Sequence, residues 1–309
     1  MKQFILLIGL CISTIATAQD FIAQDITVSN YVEGTLLIPY SKTSTVAIII
    51  PGSGPNDRDG NQNFMKNNSL KYLAEDLTSE GIATFRYDKR ALTMLKKGAN
   101  EKQIKQVTFD DFVADAKKVV GYLKNTKHYA NIYIIGHSQG SLVGMLAANE
   151  HVNGFVSISG PSKSIDQVIL EQIGMMGAND LVESAKKTFE ILKSGKTDKK
   201  FNSGLANIFN LDVQPFIRSW MAYSPAEELG KLTIPVLIIN GDNDIQVTPK
   251  DAQLLKDGKQ SAELLIVKNM NHVLKTVESK DTQENAKTYN MPQVKNAPEL
   301  AKAISAFIK

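Results

Sequence analysis

Residues Asn131-Ile-Tyr-Ile-Ile-Gly-His-Ser-Gln-Gly140, followed by Ser141-Leu-Val-Gly-Met-Leu-Ala-Ala148, decide the fold. Asn131–Ile135 is a short apolar, β-branched run, and the stretch from Ser138 to Glu150 reads as a helix. Gly136-His-Ser-Gln-Gly140 must therefore carry the chain from strand to helix in one tight turn. Such a turn strains its central residue, and a glycine two positions to either side leaves room for main chain nearby. The Ser138 hydroxyl is expected to stand exposed at the carboxyl end of the sheet, where α/β folds place their ligands.

The same alternation extends outward. Thr45–Ile50, Ala83–Tyr87, Gly154–Ile158, Pro235–Ile239 and Ala262–Val267 are further runs apolar on both faces, as in a parallel sheet covered by helices. Between them, helices are predicted at Ser69–Glu80, Pro249–Asp257 and Pro298–Ile308, and most clearly after Thr108. There Phe109, Phe112, Val113, Ala116, Val119, Val120 and Leu123 share one face of a 3.6-residue period. The class is α/β, a doubly wound, mostly parallel sheet, with weaker strands at Ile26–Val28 and Gly34–Ile38 forming an antiparallel edge. The alternation stops between Pro161 and Ser224, where apolar spacing is helical throughout. Residues 161–224 are expected to form an inserted helical lid, with residues 19–160 and 225–309 as the core.

The beginning of the chain reads differently. Lys2, the apolar run Phe4–Ile15 and the small residues of Ala16-Thr17-Ala18 form a secretory signal over residues 1–18, with cleavage expected after Ala18. The reading is an exported protein, periplasmic or extracellular. Cys11, the only cysteine, falls inside that signal behind Leu10 rather than a small residue, which favours a soluble product over a lipid-anchored one. No other run is apolar enough for membrane insertion. The 35 basic and 32 acidic residues are interspersed without a basic stripe, so nucleic acid is not an expected partner.

An alcohol needs a base and an orienting acid to act as a nucleophile near neutral pH. His128 and His151 lie before strands, at the far end of the sheet, and His137 is expected to point away from Ser138. His272 follows the last strand and is the histidine placed to reach Ser138. Asp242 and Asp244 both follow the strand Pro235–Ile239, and topology leaves the choice between them open. The order serine, aspartate, histidine suits this turn type. For an oxyanion the N–H of Gln139 at a helix start is one donor, and the Ser53 N–H in the Pro51–Gly60 loop is the second, with Gly54 as the fallback.

On the Gly136–Gly140 turn, the Gly241-Asp-Asn-Asp-Ile-Gln-Val247 stretch and Asn271-His272, the sequence resembles the α/β-hydrolase superfamily, serine-nucleophile branch. The likeness spans nearly the whole chain after the leader. It implies Asp244, third after the glycine, as the acid. Gly52–Gly60 and Arg86-Tyr-Asp-Lys-Arg90 are similar to a narrower bacterial group of serine aminopeptidase-like acyl esterases. Pro51 stands where many relatives have histidine, and Ala91-Leu92 where many have Gly-x-Gly. The implied activity is hydrolysis of small-molecule carboxylic esters through an acyl-enzyme. A peptidase and an inactive hydrolase-fold binding protein are the alternatives.

Several other groups read as structural. Asp57, Arg58, Asp59, Asp88, Lys89 and Arg90 are expected to pair and hold two loops together. The Asn240-x-Asp242-x-Asp244 run fails as a calcium loop because Ile245 replaces the required glycine. No zinc or nucleotide motif is present, so no metal or cofactor is expected. Met175, Met176, Phe209 and Trp220 are read as lid core first and as acyl-pocket lining second. The polar run Glu278–Asn296 is read as a mobile rim.

Overall fold

The computed structural model describes residues 21–148, 150–175 and 177–309. The expected leader over residues 1–18, Cys11 and Met176 lie outside the described residues.

The chain runs β1 (Phe21–Ser29), β2 (Val32–Pro39), β3 (Thr45–Ile50), α1 (Ser69–Ser79), β4 (Ala83–Tyr87), α2 (Arg90–Lys96), α3 (Glu101–Ile104), α4 (Phe109–Asn125), β5 (Asn131–His137), α5 (Gln139–Ala147) and β6 (Gly154–Ile158). Four helices follow, α6 (Ile165–Met175), α7 (Asn179–Lys193), α8 (Ala206–Phe209) and α9 (Gln214–Trp220), then α10 (Pro225–Lys231). The chain closes with β7 (Val236–Gly241), α11 (Pro249–Gly258), β8 (Glu263–Val267), α12 (Thr282–Lys287) and α13 (Pro298–Ile308). The strands form one sheet in the order β1-β2-β4-β3-β5-β6-β7-β8. β1 and β2 are antiparallel and make the expected edge, and every pairing from β4 to β8 is parallel.

Alternation along the strands divides the core. In β3, Val46, Ile48 and Ile50 face one layer while Ala47 and Ile49 face the other, because successive Cβ atoms point to opposite sides. The first layer is completed by Phe109, Val113, Ala116 and Val120 of α4 and by Leu142 and Val143 of α5. The second is completed by Leu70, Leu73 and Leu77 of α1 with Leu300 and Ile304 of α13. A fully buried side chain of this size contributes about 1.5–3 kcal/mol relative to exposure, which is why both faces of the sheet are covered. α4 begins where expected: the N–H of Thr108 donates to Asp111 Oδ2 at 2.9 Å in a reciprocal cap.

The segment between β6 and β7 has a small core of its own, in which Ala185, Phe189, Leu192, Leu205 and Phe209 are buried. One of its helices, α9, carries two stripes, one of which runs on into Met221. Ile217 and Met221, four apart, join that separate core. Phe216 and Trp220, also four apart on the neighbouring face, pack on α4, with the Trp220 ring stacked 5.7 Å from Phe109. Phe209 is thus core of the helical segment, whereas Met175 is largely exposed. Among the described residues no helix is long and apolar enough to cross a membrane.

Candidate active site

Register brings the site together. Ile50 pairs with Gly136, and His137 pairs with Ile158, so the loops after β3, β5 and β6 leave the sheet side by side. Ser138 is held at φ 54 and ψ −123, a left-handed conformation that strains any residue with a side chain. Its N–H still extends the ladder, donating to Ile158 O at 2.9 Å. The glycines are there for close approach. A Cβ on Gly136 would stand 2.3 Å from Gly140 O, and one on Gly140 would stand 2.4 Å from Ile50 O. The loop after β3 passes as tightly, since a Cβ on Gly52 would meet the Ser138 Cβ at 3.1 Å.

Asp244 and His272 are buried and directly joined, His272 Nδ1 to Asp244 Oδ2 at 2.8 Å. A carboxylate only accepts, so Nδ1 carries the proton and the Nε2 lone pair is left free. The other oxygen, Asp244 Oδ1, accepts the N–H groups of Gln246 at 2.8 Å and Val247 at 2.9 Å. Burial would raise the Asp244 carboxyl, but the His272 N–H and its charge, with those two main-chain donors, outweigh it and hold the group below the ordinary carboxylate range. Asp242 is exposed and accepts the N–H of Asn269 at 2.6 Å, a loop-capping role.

Ser138, His272, Ser53 and Gln246 line a cavity of about 260 Å³ with Asn56, Gln62, Asn67 and Tyr289. Ser138, Ser53 and Gln246 also border a second cavity of about 250 Å³, together with Gln139, Ile165, Val168 and Trp220. The nucleophile candidate therefore stands between two spaces, the second of which reaches Ile165 and Val168 of α6 and Trp220 of α9. Among the described residues no carboxylate lines either cavity. Among the described residues no group of three or more His, Cys, Asp or Glu side chains could hold a metal ion.

Four residues depart from the sequence reading. His137 does not turn away: it lines the 260 Å³ cavity, its ring lies 5.0 Å from that of His272, and its Nε2–H donates to His272 O at 2.8 Å. Burial, with the charge of His272 nearby, pulls His137 down to about 4. Arg58 pairs with Asp88 and Asp25, and Arg86 with Asp59, as the two-loop reading requires. Arg90 instead reaches α4, meeting Asp115 at 2.7 Å and Asp111 at 3.4 Å. Asp57 accepts the N–H groups of Asp59 and Asn61 in its own turn. Lys89 makes no ion pair at all among the described residues; it is buried against the site loops.

The polar run Glu278–Asn296 is not the loose rim that its composition suggests. It contains α12, and its buried amides tie the loop that carries Asp244 to the turn that carries His272. Asn285 Nδ2 donates to Asn243 O at 2.7 Å, and Asn271 Nδ2 donates to Asn285 Oδ1 at 3.0 Å and Thr288 Oγ1 at 2.7 Å. Asn271 Oδ1 in turn accepts the N–H of Lys275 at 2.9 Å, closing the turn that presents His272.

Known proteins resemble the chain to different extents. The family model described as serine aminopeptidase, S33, matches residues 66–203. Esterase EstD of Thermotoga maritima is 30% identical over 273 residues, covering 85% of this chain; the chain spans 63% of that protein's length. Among solved structures, Est1E from Butyrivibrio proteoclasticus is 18% identical with a TM-score of 0.53, covering 86% of this chain and 96% of its own. The Pyrococcus furiosus esterase Pf2001 is 18% identical with a TM-score of 0.52, covering 93% of this chain and 91% of its own.

Proposed function

We propose that the chain, which resembles the serine aminopeptidase, S33, family over residues 66–203 and folds like solved esterases, hydrolyses carboxylic esters through an acyl-enzyme on Ser138. The observation that carries this reading is the Asp244–His272 hydrogen bond of 2.8 Å beside a serine strained at φ 54 on the same cavity. His272 Nε2 takes the Ser138 proton as Oγ attacks the ester carbonyl, while Asp244 fixes the ring's tautomer and supports the imidazolium. The N–H groups of Gln139 and Ser53 stabilise the oxyanion. Collapse breaks the carbon–oxygen bond to the alcohol, which leaves with the proton from His272. Water then repeats the sequence and frees the acid and Ser138.

Proton delivery orients the substrate. The leaving alcohol must lie where His272 can protonate it, in the 260 Å³ cavity, which His272 lines and Gln139 does not. The acyl chain extends into the 250 Å³ space against Ile165, Val168 and Trp220. Residues 161–224 act as a lid over that space. A substrate ammonium group, as an aminopeptidase requires, would find no carboxylate in either cavity, and Glu171 is already paired with Lys163. This favours esters over peptides. The leader at residues 1–18 supports export, and amino-terminal sequencing of the secreted product is expected to begin at Gln19.

The test is Ser138→Ala with p-nitrophenyl acetate and a fluorophosphonate probe. Turnover is expected to fall by about 10⁶-fold and labelling to vanish. Undiminished turnover in that variant overturns the reading.

A further inference from the structure

Lys89 is a buried lysine without a counter-ion, and what it touches is the oxyanion loop. It follows β4 at the start of α2, is 4% exposed, and has no carboxylate within ion-pair distance among the described residues. Its Nζ donates to the main-chain oxygen of Gly52 at 2.8 Å and to Gln139 Oε1, and it lies 4.3 Å from the centre of the Phe112 ring. Burying an ammonium group costs several kcal/mol unless every proton finds a partner. Here an oxygen of each oxyanion residue's neighbourhood and an aromatic face supply the partners. Burial nonetheless pulls the amine down to about 7.

The geometry of one peptide unit gives that contact a consequence. Gly52 C=O and Ser53 N–H belong to the same trans peptide and point in opposite directions. Drawing the carbonyl inward to Lys89 turns the Ser53 N–H outward, toward the cavity that Ser53 and Ser138 share. Asn56 Nδ2 reinforces the same carbonyl at 2.9 Å, and the Ser53 N–H has no acceptor among the described residues. The second contact fixes Gln139, whose N–H opens α5, where no preceding helical carbonyl can engage it.

We propose that Lys89 is a positioning residue for acyl transfer: one side chain, through Gly52 O and Gln139 Oε1, sets the direction of both oxyanion donors. The proposal rests on the ester-hydrolase reading of Ser138, and it adds that the hole is assembled from behind by a cation that touches no substrate. Transition-state charge is met by donors already oriented, so loss of orientation falls on kcat and spares ground-state binding.

The experiment compares the purified wild-type protein with Lys89→Met, which keeps the length and apolar stem and removes the donor. The expected result is a fall in kcat for p-nitrophenyl acetate of about tenfold or more, with KM changed less than about twofold. Affinity for a trifluoromethyl ketone, which adds to Ser138 and places an oxyanion in the hole, is expected to fall by the same factor. Affinity for the matching unfluorinated ketone is expected to hold. Wild-type kcat and ketone affinities in Lys89→Met overturn the proposal, as does an equal loss for both ketones, which is general damage. Should Lys89→Met fail to fold, Gln139→Met removes one acceptor and keeps the Gln139 N–H; a fall in kcat of several fold at constant KM supports the proposal, and an unchanged kcat overturns it. Failure of the ester reading itself is separate, because it appears as full activity in Ser138→Ala.

Discussion

His137 Nε2 lies 2.8 Å from the main-chain oxygen of His272, so the residue before Ser138 holds the loop that carries His272. The donor must be His137, since a carbonyl oxygen only accepts. The bond pins the end of β5, just before the strained Ser138, to the turn after β8. It also needs no charge on the imidazole, and burial keeps that ring neutral, its value pulled from 6.5 down to about 4.

This neutral histidine makes the fold acid-sensitive in a defined window. The unfolded chain takes up a proton at His137 near pH 6.5, whereas the folded chain resists until about pH 4. The unfolded state therefore binds more protons between those values, and stability present above pH 6.5 is lost as pH falls toward 4. A shift of this size corresponds to roughly 3 kcal/mol. His137→Gln retains an N–H donor and does not titrate. Urea unfolding from pH 7 to pH 4 is expected to show the wild type losing more stability than His137→Gln by about that amount; parallel curves for the two proteins would rule out a neutral buried His137.

Asp242 and Asp244 separate on substitution. Asp244→Asn can present its amide to His272 Nδ1 and so disfavours the tautomer that leaves Nε2 free. A loss in kcat of about 10³–10⁴-fold is expected, with little change in KM. Asp242→Asn keeps an oxygen for the Asn269 N–H and stands away from the ring, so kcat is expected to stay within about twofold and stability within about 1 kcal/mol. Steady-state kinetics of the two variants side by side decide the matter, and similar losses in both would remove Asp244 from its role.

The sheet was legible in the sequence because its strands are apolar on both faces and bounded by turn residues. Thr45–Ile50, Ala83–Tyr87 and Gly154–Ile158 match the observed strands residue for residue, and Pro298–Ile308 matches its helix. That Ser138 and His272 share one cavity was legible from their place at strand ends. Asp244 was not separable from Asp242 by topology, because what distinguishes them is the direction of the Gln246 and Val247 N–H groups. Lys89 was read as one more charge in a mixed-sign run, since sequence does not reveal that Arg90 takes Asp115 and leaves Lys89 facing main chain. The polar segment after Glu278 misled for a related reason. Composition records amide side chains, and only packing shows that Asn285 is buried between two loops.

The polar cavity beside His272 carries the last prediction. Asn67 is fully buried there; its Oδ1 accepts the Ser69 N–H at 3.0 Å, but its Nδ2 has no partner among the described residues. An unsatisfied buried amide costs about 1–3 kcal/mol, and a hydroxyl oxygen on the leaving alcohol would remove that cost. With no ammonium, guanidinium or carboxylate group among the described residues that line the cavity, the proposed ester hydrolysis predicts a neutral, hydroxylated leaving alcohol. Glycerol monoacetate is therefore expected to be cleaved with higher kcat/KM than ethyl acetate. Asn67→Asp keeps the acceptor for Ser69 and replaces the donor with an oxygen, so it should lower that preference by about tenfold while the rate on ethyl acetate moves far less. An unchanged ratio of the two kcat/KM values in Asn67→Asp would place the leaving alcohol elsewhere than against Asn67.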